Sequence, residues 1–290
     1  MSTPPRICYL NGQYVPLGEA RISPLDRGFL FGDGAYEVMP VYGGRPFRMQ
    51  AHCARLTRSL TELRMRDPLS AGQWRSVFAT LIERGGGGDQ VLYWQVTRGS
   101  EPERRHAPLP EIARTVFAFS TPWSAVTRET LEQGLACITA TDTRWARCDI
   151  KSIALLANVL LRQQAVDAAA AETILLRDGR LTDASAAAVH VVSSGEILTP
   201  PNSNAILPST TRTVIEELAA RSGIPCRAAP VSEAQLRSAE EIWLSAATRE
   251  VQPVTRLDDR AVGTGRPGPL WQRVHAAFQD WKRELHGQPW

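Results

Sequence analysis

Apolar positions along the chain switch between two periods, and that switching predicts a mixed α/β fold. Residues 7–10 and 13–17 flank Asn11-Gly12, a dipeptide that accepts the positive φ angles of a two-residue hairpin turn. Residues 36–42 and 46–49 flank Gly43-Gly44 as a second hairpin. From residue 50 to 65 the period lengthens, with Leu56, Leu60 and Leu63 at helical spacing. Residues 71–84 read as another helix, then 90–98 and 115–120 as strands. Further on, strands are expected at 135–140, 173–176, 189–192 and 241–245. Helices are expected at 152–170, 210–221 and 268–285, the first with Ser152 as its N-cap. The glycine run 85–88 precedes a strand and lacks a Gly-Lys-Ser/Thr ending, so it is read as a turn and not as a phosphate cradle. The pattern suggests a smaller N-terminal α/β domain (1–120), a connector (121–126) and a larger C-terminal domain (127–290).

Composition narrows the function classes. The 290 residues carry a net charge of +3, too balanced to favour nucleic acid or an anionic membrane surface. No apolar stretch approaches a membrane span, and residues 1–6 show no signal-peptide core. The cysteines at 8, 53, 137, 148 and 226 form no Cys-x-x-Cys pair. Neither a disulfide framework nor a metal site is therefore expected, and a cytoplasmic location is.

Lysine usage points towards chemistry. Only two of the 33 basic residues are lysines, Lys151 and Lys282. Arginine replaces lysine as surface charge but not as an amine that must lose its proton and attack. Lys282 lies near the end of the closing helix, where a solvated cation suits the helix dipole. Lys151 lies among apolar neighbours, just before the helix expected at Ser152. Both surroundings would disfavour its ammonium form.

Several clusters occur in order along nearly the whole chain: Asp26–Tyr36, Thr97–His106, Arg144–Lys151, Leu181–Val189, Leu207–Arg212 and Trp243–Val254. Asp26-Arg27-Gly28-Phe29-Leu30-Phe31-Gly32-Asp33-Gly34-Ala35-Tyr36-Glu37 and Arg144-Trp145-Ala146-Arg147-Cys148-Asp149-Ile150-Lys151-Ser152 resemble signatures of the class IV (fold-type IV) aminotransferases, which depend on pyridoxal phosphate. Within that family the resemblance is to the bacterial D-amino-acid aminotransferases. It implies a two-domain α/β (α+β) protein with the cofactor in the interdomain cleft. Lys151 matches the lysine that holds the cofactor as an aldimine and shuttles a proton to the substrate Cα. Arg55 matches the phosphate arginine, and Thr210 and Thr211 a phosphate-binding helix start. Leu207 matches the residue against one face of the pyridine ring. Tyr36, Tyr93, Arg104 and His106 match the substrate-carboxylate trap, and Val38 the side-chain pocket. Trp145 would lie near the cofactor, with Arg144 in support. In the family the Arg-x-His pair reaches in from the partner subunit, which implies a homodimer with shared sites.

Three departures stand out. Asp183 occupies the position of the glutamate that pairs with the pyridine nitrogen. Ala187 and Ala188 replace a serine and an asparagine. Ala247 stands where a threonine hydroxyl is usual, leaving the backbone N–H groups of Ala246 and Ala247 as donors. A weaker hold on the cofactor is expected.

The reaction implied is transfer between D-amino acids such as D-alanine or D-glutamate and 2-oxo acids. Branched-chain or (R)-amine aminotransferases and aminodeoxychorismate lyase are alternatives of the same fold, weighed against by Arg104-x-His106. A non-catalytic pyridoxal-phosphate-binding regulatory protein is the alternative of another class, and absence of turnover would identify it.

Overall fold

A computed structural model describes residues 6–285, which divide into two compact units. The first runs to Ser124 and also takes in Ile150–Leu155. Its elements are β1 (Ile7–Leu10), β2 (Gln13–Pro16), α1 (Arg27–Phe31), β3 (Gly34–Tyr42), β4 (Arg45–Pro46), α2 (Met49–Glu62), α3 (Ala71–Arg84), β5 (Gln90–Thr97) and β6 (Thr115–Pro122). The strands form one antiparallel sheet in the order β2-β1-β6-β5-β3-β4.

Side-chain alternation splits this sheet into two faces. Met39, Val41, Leu92, Trp94 and Val96 are buried in one core with Leu56 and Leu60 of α2 and Trp74, Phe78 and Leu81 of α3. Tyr36, Val38, Tyr93 and Gln95 alternate with them and are half-buried. α3 starts where Ser70 and Gln73 form a reciprocal capping box, which satisfies two backbone donors. Gly85 is the C-cap of α3, and Gly86, Gly87 and Gly88 follow with positive φ.

The second unit comprises 125–149 and 156 onwards. Its elements are α4 (Arg128–Gln133), β7 (Leu135–Thr141), α5 (Leu156–Asp167), β8 (Glu172–Arg177), β9 (Arg180–Ala184), β10 (Ala188–Ser193), β11 (Glu196–Thr199), α6 (Thr210–Arg221), β12 (Cys226–Ala228), α7 (Glu233–Arg237), β13 (Glu241–Ala246), β14 (Glu250–Leu257), β15 (Arg260–Ala261) and α8 (Pro269–Leu285). The sheet runs β12-β11-β10-β13-β14-β7-β8-β9, with β15 beside β14. The β14–β7 and β7–β8 pairs are parallel. Trp243, Ile215, Ala219, Trp271 and Val274 form a core between this sheet and helices α6 and α8.

Three expectations change. The second strand of the Gly43-Gly44 hairpin is Arg45–Pro46 and not 46–49, because Met49 already opens α2. The helix after Lys151 begins at Leu156, not at Ser152. Ser152 instead forms an antiparallel bridge with Ala35, and Ile153 donates to the Gly34 carbonyl at 3.1 Å. Backbone paired to β3 cannot open a helix, so Lys151 does not immediately precede a helix N-terminus. Lys282 is not a solvated cation either: its Nζ lies 2.5 Å from Oε1 of Glu250.

Phe78 is fully buried between Trp74 and Trp94, with ring centroids 5.5 and 4.7 Å away. Phe78→Ala is expected to destabilise the first unit by about 3–5 kcal/mol in chemical denaturation. A loss under about 1 kcal/mol would mean that the cavity collapses.

Candidate active site

The Asp26–Gly34 stretch is built locally. Asp26 caps α1 by accepting from the Gly28 N–H at 2.8 Å and also takes the hydroxyls of Thr97 and Thr115. A Cβ on Gly28 would fall 2.3 Å from the Thr97 side chain, so only glycine fits. Gly32 ends the helix at φ 66°, in the left-handed region, and a Cβ there would lie 2.8 Å from that of Ala154. Asp33 then receives Arg27 at 2.8 Å and both arms of Arg98.

This turn delivers β3 beside Lys151. The Tyr36 N–H donates to the Lys151 carbonyl at 3.0 Å, and the Lys151 N–H donates to Oγ of Ser59 at 3.2 Å. With its main chain fixed on both sides, Lys151 places Nζ 4.2 Å from the centre of the Tyr36 ring. Tyr36 stacks on Tyr93 at 5.7 Å, and the Tyr93 hydroxyl donates to Gln95 at 2.7 Å. Burial, with Tyr36 adding to it, raises the Tyr93 hydroxyl to about 12, so it stays protonated. Val38 pairs with Tyr93 across the strands and shares this face.

Arg55 occupies the helix-covered side. Its Nε and Nη2 donate to Glu37 at 2.7 and 2.8 Å, and His52 Nδ1 meets the same carboxylate at 2.9 Å. Burial alone would raise the Glu37 carboxyl, but Arg55 and then His52 bring it down to about 2. His52 is held below its ordinary value by burial, with Arg55 and Lys151 adding to that against Glu37.

Arg104 and His106 are exposed on the loop that follows β5. Both lie against Phe31: the Arg104 guanidinium is 4.8 Å and the His106 ring 5.5 Å from its centroid. Among the described residues no hydrogen bond, ion pair or ring contact joins either to Tyr36, Tyr93 or Lys151 of the same chain.

In the second unit Asp183 is the penultimate residue of β9, buried, and accepts from Arg144 Nη1 at 3.3 Å and from the Leu207 N–H at 3.4 Å. Arg144 is committed elsewhere too, with Nε and Nη2 on Asp142 at 3.0 and 3.1 Å and Nη2 on the Ala205 carbonyl. Two long contacts compensate a buried carboxylate poorly. Burial therefore dominates and raises Asp183 from 3.8 to about 6, Arg144 offsetting only part of it. Thr210 and Thr211 form the first turn of α6, whose N-cap Ser209 accepts from the Arg212 N–H. Ala246 ends β13 and Ala247 opens the turn after it, while Ala188 pairs with Ser245. Trp145 is 49% exposed.

The sequence reading assigns no role to Arg27, Glu37, His52, Ser59 or Asp142. Glu37 and His52 had a sequence signal, because an acid beside Tyr36 and a histidine one turn before Arg55 would be hard to bury unpaired. Ser59 and Asp142 had none.

Comparison with known proteins places this geometry in context. Residues 34–257 match the family model described as amino-transferase class IV. The chain is 37% identical over 270 residues to the D-alanine aminotransferase of Bacillus licheniformis, covering 93% of this chain and 95% of that protein. The D-alanine aminotransferase of Staphylococcus haemolyticus is 33% identical over the same share of this chain and 95% of its own. Among solved structures, the branched-chain amino acid aminotransferase from Escherichia coli superposes with a TM-score of 0.87 at 23% identity, over 95% of this chain and 93% of that one.

Asp183 sets a pH dependence of stability. The unfolded chain releases this proton near 3.8, whereas the folded chain keeps it to about 6. The folded state is therefore favoured below the lower value, and that advantage is lost as pH rises through the higher one. In cofactor-free protein, Asp183→Asn is expected to be more stable than wild type by on the order of 2–3 kcal/mol at about pH 8. The difference should shrink towards about pH 4.5. Unfolding curves whose difference is flat with pH would show that Asp183 ionises normally.

Proposed function

The chain belongs to the class IV aminotransferases, and from that premise we propose that it transfers the amino group of a D-amino acid to a 2-oxo acid. Pyridoxal 5′-phosphate is the cofactor of this reading. The observation that carries it is Lys151, one of two lysines in the chain, with its amine 4.2 Å from Tyr36 on the half-covered face of the first sheet.

The donor set suits the cofactor. Asp183 is a buried anion with incomplete compensation, which is what a protonated ring nitrogen supplies. Arg144 and the Leu207 N–H keep it pointed, and Leu207 would cover one ring face. Arg55 offers a guanidinium to the phosphate, held in place by Glu37. The first turn of α6 at Thr210 and Thr211 adds a helix N-terminus, and Ala246 and Ala247 contribute backbone N–H groups only. With no hydroxyl at 187, 188 or 247, the hold on the phosphate end is weaker than a threonine-bearing site would give.

When bound, the cofactor supplies the electron sink. The chain supplies position and proton transfer. Lys151 carries the proton to and from the substrate Cα, and its fixed main chain limits where that proton can be delivered. Tyr36 and Tyr93 wall the site, and Val38 bounds the side-chain pocket. Arg104 and His106 bind the substrate carboxylate as two convergent donors, which orients the amine as well as holding it. Because that loop does not touch Tyr36 in its own chain, a homodimer is proposed in which one protomer's loop completes its partner's site. The exposed Leu156, Val159 and Leu160 of α5 are apolar surface suited to such an interface. The five free cysteines agree with a reducing cytoplasm.

The test is amino exchange between 2-oxoglutarate and either D- or L-alanine, read by chiral chromatography. Exchange with the D-isomer is expected. Exchange with L-alanine alone would overturn the D-specific reading and keep the family. No exchange with either isomer, despite bound cofactor, would favour a non-catalytic protein. Lys151→Ala is expected to lower exchange by roughly 10²–10⁴-fold or more without loss of the folded state, checked by circular dichroism.

A further inference from the structure

The loop bearing Arg104 and His106 is exposed, yet a carboxylate trap works only if both donors are fixed before the ligand arrives. Arg27 supplies that fixation. It is 4% exposed, unusual for arginine, and every arm of its guanidinium is used on this loop or its base. Nη1 donates to the Arg105 carbonyl at 2.6 Å and Nη2 to the His106 carbonyl at 2.9 Å. Nη1 also pairs with Glu101 at 2.8 Å, and Nε with Asp33 at 2.8 Å. Its backbone N–H donates to the Gly99 carbonyl at 2.8 Å, at the start of the same loop.

Glu101 braces the loop from within. It is 5% exposed and takes the Leu109 N–H at 2.6 Å, tying 101 to 109. Phe31, at the end of α1, is the platform. The guanidinium carbons of Arg27 and Arg104 lie 4.9 and 4.8 Å from its centroid, and His106 packs against it.

The charges are arranged to match. Asp33 and Glu101 compensate Arg27, and Arg105 pairs with Glu103. Arg104 has no ion pair among the described residues, so its charge is available to a ligand while its position is set by Phe31.

We propose that Arg27 and Phe31 are positioning residues for substrate-carboxylate recognition: Arg27 holds the main chain at 105 and 106, and Phe31 seats Arg104 and His106. The inference rests on the reading that Arg104 and His106 bind the substrate carboxylate.

The test uses the cofactor-loaded enzyme and steady-state kinetics with D-alanine. Arg27→Lys keeps a cation for Asp33 and Glu101 but cannot bridge two carbonyls. It is expected to raise KM by roughly 10- to 100-fold with kcat within about threefold, matching the loss of one oriented charge-assisted contact. Phe31→Leu should raise KM likewise, whereas Phe31→Tyr, which retains the ring, should stay near wild type. Arg104→Ala should raise KM alone and add little further in the Arg27→Lys background, because the two act as one unit.

Additive effects in the double variant, or a fall in kcat at unchanged KM, would overturn the inference and leave the trap reading intact. The same holds if Arg104→Ala raises KM and Arg27→Lys does not. An Arg104→Ala enzyme with unchanged KM would overturn the trap reading itself, and this inference with it. Cofactor content and melting temperature, measured on each variant, identify general misfolding. If Arg27→Lys misfolds, the Phe31→Leu and Phe31→Tyr pair decides between the outcomes.

Discussion

The main chain at Lys151 is paired to β3, and the arrangement of the first unit follows from that pairing. A lysine side chain is long and flexible, and ordering one costs up to about 2 kcal/mol of rotamer entropy. Fixing its backbone on both sides, at Tyr36 and at Ser59, reduces the volume the amine can search. Tyr36 lies on the same pairing, so lysine and ring are set against each other by hydrogen bonds that involve neither side chain's own chemistry. The local price is the first helical turn that Ser152 would otherwise begin.

Buried charge is handled in opposite ways in the two units. Glu37 has a bidentate guanidinium and an imidazole, and remains an anion down to about 2. Asp183 shares one arginine with Asp142 at longer distances and sits at about 6. Well-compensated ions serve as scaffold, since removing one partner leaves the other buried and costly. A poorly compensated ion is a site that gains when a donor arrives. The aspartate at 183 is one methylene shorter than the glutamate that the resemblance places at this position.

Much of this was readable from the chain, because the signals were local. The helical readings of 71–84 and 210–221 match α3 and α6 at their observed bounds, Ala71–Arg84 and Thr210–Arg221. Asn11-Gly12 likewise marks the turn between β1 and β2. The strands that went unread lack such signals. β9 reads Arg-Leu-Thr-Asp-Ala, whose Thr182 and Asp183 are buried and serve Asp142 and Arg144 instead of solvent. β14 contains Pro253, which argues against a central strand, yet it pairs on both sides. For the site, lysine usage pointed to Lys151, whereas Tyr36 and Asp183 were implied only by the resemblance to class IV aminotransferases. What spacing could not give was which groups meet across distance, as Arg27 meets residues 105 and 106, or Ser59 meets Lys151. Those contacts depend on how separate segments come together, and no local pattern encodes that.

The close approach of Gly32 to Ala154 couples two segments 122 positions apart. Each of the two residues sets the size limit of the other. A change at either position is tolerated only if its counterpart stays small, so the two must drift together or not at all. Loop transplants between relatives would therefore have to carry residues 26–34 and 150–155 as one cassette, even though they are far apart in the sequence.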